Sequence, residues 1–234
     1  MGTNDIHHKK RKSRLTRKSK KNREYKNSIL IICEGEKTEP NYFNSFQVSN
    51  VEVKTIGLGM NTTSLVEEAI IKWKELEAEN RCYEHLWCVF DRDEFLQEKY
   101  NQAFETIISE EKKLNKRFKR SVGREIKIFI AYSNQAFELW YLLHYDFIES
   151  ACHRSQYQRM LSDRMGKEYK KNDAKMYQTL QELSQSTNDR KGQNFAIRNA
   201  KNLRSSRVSS GEHNQNPSTS VDKLVVELNG YLKK

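Results

Sequence analysis

SILIICEGEKTEP, residues 28–40, is the stretch whose reading decides the fold. Ile29-Leu30-Ile31-Ile32-Cys33 is a continuous apolar run, short and rich in β-branched side chains, and reads as a strand buried on both faces. It stops at Glu34-Gly35-Glu36, where Gly35 permits a sharp turn. Thr38 or Glu39 can cap a helix that carries Pro40 in its first turn, where a missing N–H costs nothing. This strand–turn–helix unit sets acidic side chains at the carboxyl end of a strand, which in an open α/β sheet is where sites form. Taken alone, it reads more readily as an ordinary connection with solvated glutamates than as a site.

Working outward, the same unit recurs. A helix over 40–47 buries Tyr42, Phe43 and Phe46, and 51–56 is a second strand, alternating enough to lie near an edge. A turn at 57–61 leads to a long helix capped by Thr62, Thr63 or Ser64, with Leu65, Val66, Ala69, Ile70, Trp73 and Leu76 at the helical period. Residues 84–90 form a third strand ending in Asp91-Arg92-Asp93-Glu94. A polar helix over 96–118 turns Phe104, Ile107, Ile108 and Leu114 inward. Residues 126–132 form a fourth strand ended by Ser133-Asn134, and 136–145 an apolar helix. The order βαβαβαβα specifies a parallel sheet flanked by helices. Helices alone are expected beyond residue 147. The domain organisation is thus a disordered basic arm over 1–26, an α/β domain over 27–146 and a helical C-terminal region over 147–234.

Composition narrows the function. The net charge is +11, yet residues 1–26 hold eleven Lys/Arg against Asp5 and Glu24, so the arm carries nine of those charges and the remainder is nearly neutral. Such an arm, with Lys10, Arg11, Arg14 and Lys20 among its cations, can bind nucleic acid by counterion release, or merely solubilise the chain. Two prolines and nine glycines favour long helices over an all-β fold. No apolar run reaches the roughly 18 residues of a membrane span, and no apolar stretch follows the basic start as in a secretory signal. Four cysteines without a CxxC pair point to a reducing cytoplasm. Cys82-x-x-His85 and Cys152-His153 lack zinc spacing.

Two parallel strands end in acid, at Glu34-Gly35-Glu36 and at Asp91-x-Asp93, and their carboxyl ends lie on one sheet edge. Hard oxygen donors in small number suit Mg²⁺ or Mn²⁺, and such ions permit in-line phosphodiester displacement. His144, after the apolar helix, is either a base or an interior histidine. Lys170, Lys171 and Arg198 are either phosphate contacts or a solvated basic face. Asn216-Pro217-Ser218-Thr219 reads as a cap for a helix over 221–232.

CEGEKTEPNYF at 33–43, VFDRDE at 89–94, SNQAFELWYLLHY at 133–145 and NPST at 216–219 together resemble the RloB family, small bacterial proteins found near restriction–modification and abortive-infection loci. The resemblance covers roughly 28–232. It implies a Toprim-like fold, similar to topoisomerases, primases and OLD-type nucleases. Glu34 matches the first-strand glutamate, Asp91 and Asp93 match the DxD, and Glu36 and Glu39 match the extra acids of OLD-like versions. It further implies a metal-dependent nuclease of an antiviral defence system, acting on RNA such as tRNA or on DNA, with an AAA-type ATPase as partner and room for homo-oligomers. The alternatives are a non-catalytic nucleic-acid-binding or ATPase-partner subunit and a nucleotide-sensing domain. The chain departs from the family's SNP-x-FE pattern at Gln135, which stands where the proline does. Glu138 is retained, either as a metal or catalytic carboxylate or as a first-turn glutamate favoured by the helix dipole.

Overall fold

The computed structural model describes residues 27–59, 62–92, 97–187, 190–206 and 216–233. The chain runs β1 (Asn27–Cys33), α1 (Thr38–Asn44), β2 (Val51–Gly57), α2 (Thr62–Ala78), β3 (His85–Asp91), α3 (Gln97–Val122), β4 (Lys127–Asn134) and α4 (Glu138–Leu142). It continues through α5 (Arg154–Met165), α6 (Met176–Ser186), α7 (Gln193–Ser205), β5 (Ser218–Thr219) and α8 (Val221–Asn229). One sheet holds all five strands in the order β2-β1-β3-β4-β5. The β1–β2, β1–β3 and β3–β4 pairs are parallel, and β4–β5 is antiparallel.

The apolar strands are buried on both faces because helices cover both. Ile29, Ile31 and Cys33 point to one face with Trp87, Val89 and Ala131, whereas Leu30 and Ile32 join Leu86, Cys88, Phe90 and Ile128 on the other. The first face is covered by α1 and by the C-terminal helices, through Tyr42, Phe43, Leu161, Leu180, Leu203 and Leu224. The second is covered by α2 and α3, through Leu65, Trp73, Leu114 and Phe118. Each fully buried aliphatic side chain contributes roughly 1.5–3 kcal/mol, so the strands of the two-sided core specify the sheet strongly.

Several expectations shift. Ile108 is not inward but 69% exposed. Ala103, Ile107, Leu114 and Phe118 already share one helical stripe, and adjacent helix residues diverge by about 100°, so Ile107 and Ile108 cannot share it. The regular part of the apolar helix is only α4; on both sides it tightens into i→i+3 bonds, as from Leu139 N–H to Ala136 O and from Tyr145 N–H to Leu142 O. Ser133 and Asn134 extend β4 rather than ending it, because β5 pairs with them. β5 is also a departure from a C-terminal region of helices alone. The helix after it forms as expected, but its cap position, Ser220, makes no capping bond to it; its hydroxyl accepts instead from Tyr132 N–H on β4. No described helix is long and apolar enough to cross a membrane.

Candidate active site at the carboxyl ends of β1 and β3

β1 lies between β2 and β3, so the chain leaves it toward one side and β3 continues toward the other. That reversal opens a crevice beyond the carboxyl ends of the two central strands. The register sets Cys33 beside Val89, which brings the residues after Cys33 alongside Asp91. Glu34 N–H donates to Val89 O at 2.9 Å. In return, Asp91 N–H donates to Glu34 Oε2 at 3.0 Å. The two acidic strand ends are therefore locked together by the sheet itself.

A cleft of about 360 Å³ opens there, lined by five carboxylates, Glu34, Glu36, Glu39, Asp91 and Glu138, and by three cations, Lys37, Arg154 and Lys171. Glu36 is exposed, whereas Glu39 and Glu138 are buried. Glu39 Oε2 is buried and makes no hydrogen bond. Burial pushes its carboxyl above the usual carboxylate range; the Glu138 charge adds to this and Lys171 opposes it. Glu138 opens α4, as a first-turn glutamate should, and also lines the cleft. Tyr169 Oη donates to its Oε1 at 3.4 Å.

Gly35 is needed for space. A Cβ there would stand 2.1 Å from Glu39 Oε2, and its φ is not in the left-handed region. The buried Glu39 carboxyl would have to move to admit a methyl group. Gly35→Ala is therefore expected to destabilise the fold by about 1–3 kcal/mol, measured by urea unfolding.

In kind, the donors fit a hard divalent cation, since they are all oxygens and one buried oxygen lacks a partner. Among the described residues, no three acidic, histidine or cysteine side chains already stand together as a metal-binding group. Asp93 lies outside the described residues, so the DxD is seen only through Asp91.

Residues 29–228 match the family model described as RloB-like protein. The chain belongs to the RloB-like protein family. Comparison with curated proteins and with solved structures gave no match.

In this RloB-like chain the C-terminal helices complete the site. Asn172 accepts from Thr38 Oγ1 at 2.6 Å through its side chain and from Asn41 Nδ2 at 3.2 Å through its carbonyl, tying the loop before α6 to α1 and setting Lys171 in the wall. Lys170 is exposed and does not line the cleft, and Arg198 is exposed on α7, its guanidinium 5.2 Å from the centre of the Phe195 ring. Neither joins the carboxylates. Lys10, Arg11, Arg14 and Lys20 lie outside the described residues.

Arg154 is the main cleft residue that the sequence did not disclose. It follows Cys152-His153, where His153 serves as the cap of α5: its Nδ1 accepts from Ser155 N–H, and its own N–H donates to Gln156 Oε1. Gln135, at the family's proline position, takes the turn through a cis Asn134–Gln135 peptide. Its Oε1 accepts from Arg154 N–H at 2.8 Å. His85, the other histidine weighed for zinc, pairs through Nδ1 with Glu227, which also accepts from Trp87 Nε1 at 2.7 Å.

His144 is not a base of this cleft. It is fully buried, Nδ1–H donates to Trp140 O at 2.8 Å, and Nε2 has no partner. Burial pushes its pKa down to about 4. Unfolded, it titrates near 6.5, so its contribution is fully present above that value and is lost as pH falls toward 4. The loss amounts to roughly 3 kcal/mol. The stability difference between wild type and His144→Phe is expected to narrow by that amount over this range in urea unfolding. A difference independent of pH would refute a neutral buried imidazole.

Proposed function

We propose that this protein is a divalent-metal-dependent nuclease of Toprim type, hydrolysing phosphodiester bonds in RNA, tRNA included, or in DNA, in the cytoplasm as part of an antiviral defence system. The observation that carries this reading is the bond from Asp91 N–H to Glu34 Oε2, which joins two acidic strand ends at the sheet's reversal point inside a cleft that also contains cations. Glu34, Asp91 and Asp93 would hold Mg²⁺ or Mn²⁺, with Glu39 supporting. The ion supplies Lewis-acid stabilisation of phosphate charge and a more acidic water.

The chain's own groups do the rest. Glu36, exposed at the cleft, or Glu138, buried in its wall, would take the proton of the attacking water. The water oxygen forms the new P–O bond, the bond to the leaving oxygen breaks, and that oxygen takes a proton from solvent. Lys171 and Lys37 offset part of the negative charge that would otherwise repel a polyanion. The basic arm adds affinity without sequence preference.

The test is incubation of the full chain with total tRNA, single-stranded DNA and duplex DNA, with Mg²⁺ or Mn²⁺ and with chelator. Metal-dependent fragments of one substrate class are expected. Intact substrates in every case, with and without an AAA-type ATPase partner, would leave a nucleic-acid-binding subunit or a nucleotide sensor as the better description.

A further inference from the structure

We infer that Arg154 is a phosphate-binding residue of this cleft, delivered from the C-terminal helices to grip a non-bridging oxygen of the scissile phosphodiester. The inference rests on the phosphodiester reading and adds to it a residue outside the acidic strand ends. Arg154 is the first residue of α5 and lines the same cleft as Glu34 and Asp91. Its Nη2 lies 4.0 Å from Asp91 Oδ2, a charge–charge separation longer than a hydrogen bond. The guanidinium thus stands beside the carboxylate at the end of β3.

The start of α5 is held in place at this residue and one turn beyond it. Gln135 Oε1 takes the Arg154 N–H at 2.8 Å, and one turn on, Tyr157 Oη donates to Asn134 O at 3.3 Å. Both acceptors belong to the end of β4 and the turn that follows it, beside β3. The sheet therefore fixes where the Arg154 backbone sits, and the side chain needs only to reach across the cleft. A planar guanidinium matches two phosphate oxygens at once and stays charged throughout, so it stabilises developing negative charge without exchanging a proton. The bland alternative is that Arg154 only neutralises Asp91.

The experiment uses the full chain with two probes: Mn²⁺-dependent hydrolysis of bis(p-nitrophenyl) phosphate, and calorimetric binding of thymidine 3′,5′-bisphosphate with Ca²⁺. The variants are Arg154→Ala, Arg154→Lys, Asp91→Asn and the control Arg159→Ala, which removes an equal charge from an exposed position on the same helix. Arg154→Ala is expected to lower kcat about 100-fold or more, the effect of losing one preorganised donor, with a smaller change in KM. Added guanidinium should restore part of that rate, which no structural role would predict. Bisphosphate affinity should fall about tenfold, less in Arg154→Lys, and not in Arg159→Ala.

An Arg154→Ala protein within threefold of wild type in both assays overturns the inference while Asp91→Asn tests the nuclease reading separately. Should Arg154→Ala unfold, Arg154→Lys decides by the same readouts. A wild type that binds the bisphosphate through Arg154 yet hydrolyses nothing upholds the inference and leaves the nuclease reading to the nucleic-acid assays. A wild type that neither binds nor hydrolyses overturns the inference.

Discussion

Asp91→Asn is expected to abolish metal-dependent phosphodiester cleavage, lowering kcat by about 1,000-fold or more, because the substitution removes a charged donor from the strand end whose backbone N–H also contacts the Glu34 carboxylate. The amide is isosteric, and the bond from residue 91 N–H to Glu34 Oε2 survives. The fold is therefore expected to hold or improve, since a carboxylate leaves a cleft that contains four others. Loss of activity together with an unchanged or raised melting temperature separates a functional acid from a structural one. The readout is cleavage of an end-labelled substrate from whichever class the wild type cuts, alongside thermal unfolding. Full activity in Asp91→Asn would remove this cleft from consideration. Glu34→Gln, which keeps an acceptor for residue 91 N–H, should behave in the same direction.

The largest stability effect is expected at an ion pair outside the cleft lining. Arg204 on α7 meets Asp222 on α8 in a two-pronged ion pair, Nη1 to Oδ1 at 2.5 Å and Nη2 to Oδ2 at 2.8 Å, and Arg204 Nη1 also donates to Thr219 O on β5. The Asp222 side chain is 1% exposed. Asp222→Ala strands a guanidinium in this setting and should cost about 3–5 kcal/mol. Arg204→Met with Asp222→Leu should recover most of the loss, because a buried pair replaced by apolar groups of similar volume is often neutral. Urea unfolding of the two variants checks both statements; a single-variant loss below about 1 kcal/mol would show the pair to be no more than a surface contact. β5 is held to β4 beside the cleft, so the single variant should also lose activity near its lowered melting temperature.

Much of the molecule could be read directly from the chain. The inward set of α2, from Leu65 to Leu76, is buried at every expected position. β2 lies at the edge its alternation suggested. Glu34, Glu36, Glu39, Asp91 and Glu138 share one cleft. Gly35 was legible as a necessary glycine but for a different reason: its turn could be inferred locally, whereas the Glu39 carboxyl pressed against it could not. His144 left two readings open because sequence carries its residue type and not its burial. Lys171 reaches the cleft and Lys170 does not, a distinction of one residue set by the loop that Asn172 ties to α1.

By itself, then, the sequence determined the order of elements as far as α4, the parallel strands covered on both faces and the pair of strands whose ends carry acid. Those features follow from periodicity and from uninterrupted apolar runs, which are local. Only the tertiary structure decided that Arg154 and Lys171 stand opposite those acids, that Ser218-Thr219 pairs with β4, and that Arg204 finds Asp222. Each of these joins residues remote in the chain through packing of the C-terminal helices on one sheet face. Such packing depends on side-chain shape and burial across the whole core, and no short stretch of sequence encodes it.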